Sequence, residues 1–268
     1  MSKTTGGRGF DPLPAHFWFI MKEKLFFKTP DEIKLKGVLS NPTNSKQKPI
    51  IIMCHGFASS KDSKTYTTLE EKLNDKSIST FRFDFFGHGD SEGKFEDITV
   101  TEAANDILNA IEFLKSKGYK KIGLMGSSFG GMASLLAASQ RDDLFVLALK
   151  SPVSDQIGKL VVDMNDKRIE DWKEKGFIKH HKRRLNFFFY KDASSIDGYD
   201  YIRKIKMPTL ILHGDKDKSV PLKQSIKSTM LLDNGKLEII NGADHRFSDK
   251  KDFDIVIEKI VGFILSHV

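Results

Sequence analysis

The sequence predicts an α/β fold, a mostly parallel, doubly wound sheet of about eight strands with a small inserted cap. Two observations carry the prediction. Short apolar runs of the kind that suits strands buried on both faces alternate with longer helical patterns along the 268-residue chain. The alternation then fails between Ser151 and Met207, a span too long for an ordinary connection between a helix and a strand. A chain of this length can form one domain with a generous core, so residues 1–268 are read as a single domain with a cap insertion at about residues 152–207.

The elements follow in order. Lys22 to Lys28 and Ile33 to Leu39 read as opening antiparallel strands. Ile50 to Cys54, Ser79 to Asp84, Ile122 to Met125, Phe145 to Lys150, Leu210 to His213 and Leu237 to Ile240 read as core strands. Helical patterns cover Thr99 to Lys117 and the closing Asp252 to His267, and a small-residue helical run spans Gly131 to Ser139. Inside the break, a charged helical stretch near Gln156 to Lys175 precedes Arg184-Leu185-Asn186-Phe187-Phe188-Phe189-Tyr190. In such a sheet the loops that carry chemistry gather at the carboxyl ends of the strands.

Composition narrows the function classes. No stretch approaches the roughly 18 apolar residues needed to span a bilayer. Ala15 to Met21 is short, follows Asp11-Pro12-Leu13-Pro14 and lacks a small-residue cleavage site, so it is not read as a secretory signal. Its aromatics are expected to pack against the body of the fold or a second copy of the chain in a homo-oligomer, and the protein is expected to be cytoplasmic. Net charge is +7, but the lysines are spread among acidic residues and no nucleic-acid motif accompanies them, so a solvated basic surface is expected and no nucleic-acid partner. The one cysteine, Cys54, excludes an intramolecular disulfide and reads as a small buried hydrophobe.

The chemistry centres on Gly126-Ser127-Ser128-Phe129-Gly130, between a strand-like run and a helical one. A pentapeptide G-x-S-x-G arises by chance in roughly one chain in ten of this length. Its context is what a nucleophile elbow requires, a sharp strand-to-helix turn that lifts Ser128 out of the sheet. Side chains at positions 126 and 130 would collide in so tight a turn. A serine hydroxyl needs a base to take its proton, and His245, after the strand ending at Ile240, is the candidate. A buried carboxylate must orient that imidazole. Asp217 is the candidate, Asp215 its rival, and Asp244 is disfavoured because adjacent residues seldom aim at one point. The order Ser128, Asp217, His245 differs from that of chymotrypsin and subtilisin and agrees with α/β-hydrolases.

Together with His55-Gly56-Phe57, Phe81-Arg82-Phe83-Asp84, Gly87-His88-Gly89-Asp90-Ser91-Glu92-Gly93, His213 to Pro221 and Gly242-Ala243-Asp244-His245, these residues make the chain resemble the α/β-hydrolase superfamily. Within it, the chain is similar to small carboxylesterases of the feruloyl/cinnamoyl esterase and serine-aminopeptidase-like type. The resemblance implies an oxyanion hole made by the amides of Phe57 and Phe129, and its spacing ahead of Val220-Pro221 favours Asp217 over Asp215. It also implies turn-bracing roles for His55 and His88 and loop hydrogen bonds for Asp84 and Asp90. Dehalogenases and epoxide hydrolases of this fold carry Asp where this chain has Ser128.

The family also places its lids where this chain has its break, so the cap is expected to cover the active site. Trp172, Phe177, Phe187, Phe188, Phe189 and Tyr190 could line an apolar acyl or aryl pocket, with Trp172, Phe188 and Tyr190 taken as the candidate substrate-binding residues, against the alternative that such aromatics form the cap's own core. Lys179-His180-His181-Lys182-Arg183-Arg184 is read as a solvated face. The expected function is hydrolysis of a small-molecule carboxylic ester through an acyl-enzyme, with no cofactor and no metal. A serine peptidase or thioesterase is the alternative, and a non-catalytic binding protein of the same fold a further one.

Overall fold

The computed structural model describes residues 21–155, 165–180 and 183–268. The expected packing of Ala15 to Ile20, the first part of the Gln156 to Lys175 stretch, and His181-Lys182 lie outside them.

Ten strands are assigned among the described residues: β1 (Met21–Lys28), β2 (Lys34–Asn41), β3 (Ile50–Cys54), β4 (Ser79–Phe83), β5 (Ile122–Ser127), β6 (Leu144–Lys150), β7 (Phe177–His180), β8 (Arg183–Asn186), β9 (Thr209–Gly214) and β10 (Gly235–Ile240). Eight form one sheet in the order β1-β2-β4-β3-β5-β6-β9-β10, in which β2 alone runs against the others. The core strands coincide with the apolar runs because each is buried on both faces, as a parallel sheet wrapped by helices demands.

Strand alternation sorts the core into two layers. Ile50, Ile52, Leu124 and Leu149 face one side, where they meet α2 (Val100–Ser116) and α3 (Phe129–Ala138). Ile51, Met53, Met125 and Leu212 face the other, against α1 (Lys64–Asn74) and the closing helix, whose buried stripe is Phe253, Val256, Ile257, Ile260 and Ile264.

Between β6 and β9, in the segment expected to form the cap, lie α4 (Asp166–Lys175), the β7–β8 hairpin, α5 (Phe188–Ser194) and α6 (Gly198–Ile202); α7 (Leu222–Leu231) and α8 (Lys250–Leu265) follow. Trp172 stands at the centre of the cap with its Nε1 donating to the Leu185 carbonyl at 3.0 Å, and Trp172, Leu185 and Phe189 join the first apolar layer. Asp192 Oδ2 accepts from the amides of Val100 at 2.8 Å and Thr101 at 3.0 Å, so the cap satisfies the exposed amino end of α2. No helix among the described residues is long and apolar enough to cross a membrane.

Candidate active site

β5 runs straight into α3 through Ser128, whose φ of 54° and ψ of −117° lie outside the regions that non-glycine residues favour. The neighbours of this turn must be glycine. A β-carbon on Gly126 would stand 2.5 Å from Ser134 Oγ, and one on Gly130 would stand 2.3 Å from the carbonyl oxygens of Cys54 and His55. Ser128 N–H donates to the Lys150 carbonyl at 3.0 Å, pinning the turn to β6.

The turn holds Ser128 Oγ 3.1 Å from His245 Nε2, and His245 Nδ1 lies 2.6 Å from Asp217 Oδ2. With Nδ1–H directed at the carboxylate, Nε2 is left to accept the Ser128 proton. Asp217 is fixed in turn, since its Oδ1 accepts from the amides of Ser219 and Val220 at 2.8 Å. Burial pushes this carboxyl up, but hydrogen bonds from His213 and His245 outweigh it and hold the group below the usual carboxylate range. Asp215 points elsewhere, accepting from the Gly242 amide at 2.6 Å and tying the two loops together. Asp244 accepts from the amides of Arg246 and Ser248 and shapes the loop that carries His245.

Sequence reasoning missed His213. It is fully buried, receives the Ser225 hydroxyl at Nδ1 (2.7 Å), and turns Nε2 toward Asp217 Oδ2 at 3.1 Å and the Val220 carbonyl at 3.0 Å. Its place at the end of an apolar strand, four residues before Asp217, was the available signal.

The loop after β3 lies on the elbow: a β-carbon on Gly56 would be 3.6 Å from Ser128 Cβ, and the rings of Phe57 and Phe129 meet edge to face at 5.3 Å. Phe129 is the first residue of α3, so its amide is among the donors that no helical carbonyl meets. His55 accepts the Phe85 amide at Nε2 and bonds the Gly56 carbonyl through Nδ1; burial, then the neighbouring His88, lowers its pKa to about 3. His88 likewise bonds the Phe86 carbonyl and receives the Ala58 amide. Asp84 takes the amides of Lys61 and Asp90 and the Lys61 ammonium, while Asp90 pairs with the same ammonium. Cys54 is buried and inert, its thiol pushed up to about 12 by burial.

Above Ser128 opens a cavity of about 1260 Å³, with Phe57, Phe129, Val153, Ile178, Leu185 and Phe189 forming its apolar wall. Phe189 was among the rings the sequence offered for this pocket, but the three taken as substrate-binding residues, Trp172, Phe188 and Tyr190, are not in that wall. Trp172 is 0% exposed and packs edge-on against Phe187 and Tyr190, which stack on each other at 5.3 Å, so these rings form the cap's own core. Phe188 is 68% exposed, with Lys191 over its ring 5.4 Å from the centre. Phe189, one residue on, is the ring that turns inward, to 5.5 Å from Phe57 and 6.2 Å from Phe129.

The cavity also contains a lysine that the sequence reading passed over. Lys150, at the carboxyl end of β6, is 6% exposed and reaches the His245 carbonyl at 3.4 Å, with its ammonium 4.9 Å from the centre of Phe247. Burial lowers its pKa to about 8, against the smaller pull of Asp217 and Asp244.

Comparison with known proteins gives the family and the fold. The sequence profile described as the prolyl oligopeptidase family matches residues 83–268. A palmitoyl-protein thioesterase of Bos taurus, the mitochondrial ABHD10, is 29% identical over 224 residues, which cover 79% of this chain and 72% of that protein. Est1E from Butyrivibrio proteoclasticus, solved with ferulic acid bound, superimposes with a TM-score of 0.82 at 28% identity, covering 91% of this chain and 98% of that one. The fold of mouse ABHD10 matches with a TM-score of 0.74 at 22% identity, covering 91% and 99% of the two chains.

Proposed function

Because this chain belongs to the prolyl oligopeptidase family of α/β-hydrolases, we propose that it cleaves carboxylic esters through an acyl-enzyme formed on Ser128. The observation that carries the reading is the unbroken chain of hydrogen bonds from Ser128 Oγ through His245 to Asp217. In this reading His245 Nε2 takes the Ser128 proton as Oγ attacks the ester carbonyl. The oxyanion is received by the amides of Phe57 and Phe129, and the proton then passes to the departing alcohol. Water, deprotonated by the same imidazole, releases the acid. Asp217 keeps the imidazole oriented, and His213 acts through Asp217 as a positioning residue.

The residue roles, and a single domain with its cap over the site, are part of the proposal. A thioesterase is the second reading. The thioesterase name of the ABHD10 relatives favours it, and the same machinery would perform it. A cytoplasmic setting is likewise proposed, with the mitochondrion, where those relatives are named as residing, as the competing compartment.

The test is a substrate panel with a covalent label. The wild-type protein is expected to react with a fluorophosphonate at Ser128 and to turn over p-nitrophenyl esters, and Ser128→Ala to lose both while keeping its fold. Persistent turnover by purified Ser128→Ala would remove the nucleophile assignment. Comparing an ester, a thioester and an aminoacyl amide of the same acyl group separates the enzymatic readings.

A further inference from the structure

The cavity over Ser128 carries charge of one sign. Lys64, Lys150, Arg246 and Lys250 line it beside α1 and α8; Lys218 stands on the loop after β9, and Arg168 and Lys179 come from the cap. No Asp or Glu is among the described residues lining it. In a chain with 43 basic and 36 acidic residues, seven charged wall positions would all be basic by chance about once in seventy.

These cations are also poorly neutralised. Only Lys250, bound to Asp254 at 2.6 Å, has an ion-pair partner among the described residues. Lys64 lies over the Phe253 ring, 4.7 Å from its centre, and Lys150 over that of Phe247. Lys150 is the telling member, because its ammonium is buried at the foot of the wall beside the loop of His245, with a ring and a carbonyl as its near partners and no carboxylate at ion-pair distance among the described residues, Asp217 and Asp244 acting on it from further off. Such an arrangement is costly on its own and becomes favourable when an anion arrives from the ligand.

Building on the ester-hydrolase reading, we propose that the substrate carries an anionic group, phosphate or carboxylate, in addition to its ester or thioester. The anion is held against Lys64, Lys150, Arg246 and Lys250 while the acyl carbon lies at Ser128 Oγ. The same wall disfavours an aminopeptidase substrate, whose ammonium would enter a cavity lined by like charge.

Two matched pairs test this. p-Nitrophenyl hemisuccinate against p-nitrophenyl butyrate places a carboxylate on the acyl side, and butyryl-coenzyme A against butyryl-N-acetylcysteamine places phosphates on the leaving group. At low ionic strength, kcat/KM for the anionic member of at least one pair is expected to exceed that of its neutral partner about tenfold or more, and the pair that responds identifies the side that bears the anion. The excess is expected to shrink as KCl is raised toward about 0.5 M. It is also expected to fall severalfold in Lys64→Gln/Lys250→Gln, two exposed changes, and in Lys150→Met. Ratios of one or below in both pairs, with the neutral members turned over, overturn the anion proposal and leave the hydrolase reading standing. A ratio that the lysine variants do not change overturns it as well. No turnover of any of the four, with no fluorophosphonate labelling of Ser128, overturns the hydrolase reading itself.

Discussion

Ala58, Ser128, Ser151 and Phe247 all hold positive φ, and each lies in or next to a loop that builds the site. Such conformations persist only where the surroundings over-determine them, and at the elbow the determinant is space. Gly130→Ala is therefore expected to cost about 2–3 kcal/mol in urea unfolding and to reduce fluorophosphonate labelling, because the new methyl meets backbone oxygens that cannot step aside. At the acid, Asp217→Asn is expected to slow acylation by roughly three to four orders of magnitude. Asp215→Asn, which loosens only the link to Gly242, is expected to cost far less. Single-turnover rates on a p-nitrophenyl ester compare the two. Lys150 gives a pH prediction whose sign is fixed by its lowered folded-state value of about 8. Below that pH both folded and unfolded chains carry the proton, and the full penalty of burying it applies. Between about 8 and the unfolded value near 10.5 the unfolded chain binds more protons, so this group's contribution to stability rises with pH. Lys150→Met is thus expected to stabilise the protein at pH 7 by on the order of 1–3 kcal/mol, a gain that vanishes toward pH 10.5. Denaturation of both proteins across that range checks it.

Among the elements, those with a local cause were legible in the sequence. The buried strands announce themselves as apolar runs, and the elbow as glycines at spacings that a tight turn requires. Ser128, Asp217 and His245 could be picked out because each follows the carboxyl end of a strand of a parallel sheet. The cap aromatics could not be assigned in this way. Phe187 to Tyr190 is a stretch of four rings at the start of a short helix, where successive residues point about 100° apart. Hydrophobicity alone cannot say which ring faces inward. The basic wall was hidden for a related reason, since its members come from separate segments of the chain that only the fold brings together. The cap therefore yields contrasting predictions. Phe189→Ala is expected to alter selectivity between bulky and small esters by about 1–3 kcal/mol in relative kcat/KM. Trp172→Ala is expected to lower stability by about 3–5 kcal/mol, because it empties the centre of the cap. A selectivity change in Trp172→Ala at unchanged stability would reverse those assignments.

At the scale of the whole molecule, the sheet is shared by two apolar layers, and the cap's buried residues are continuous with the first of them. The described parts are expected to unfold together. In a Trp18→Phe background, Trp172 fluorescence and far-UV circular dichroism should follow coincident urea transitions, and an earlier fluorescence change would mark a cap that opens alone. The basic cavity has a further consequence after the chemistry is done. Where the anion sits on the acyl side, cleavage of the neutral ester adds a carboxylate to it, so the acid product bears one more negative charge than the substrate that entered. A wall that draws an anionic substrate in must hold that product more tightly still. Release then becomes the slow step, and salt acts with opposite signs on the two kinetic constants: kcat/KM falls as screening weakens capture, whereas kcat rises as the departing acid is let go.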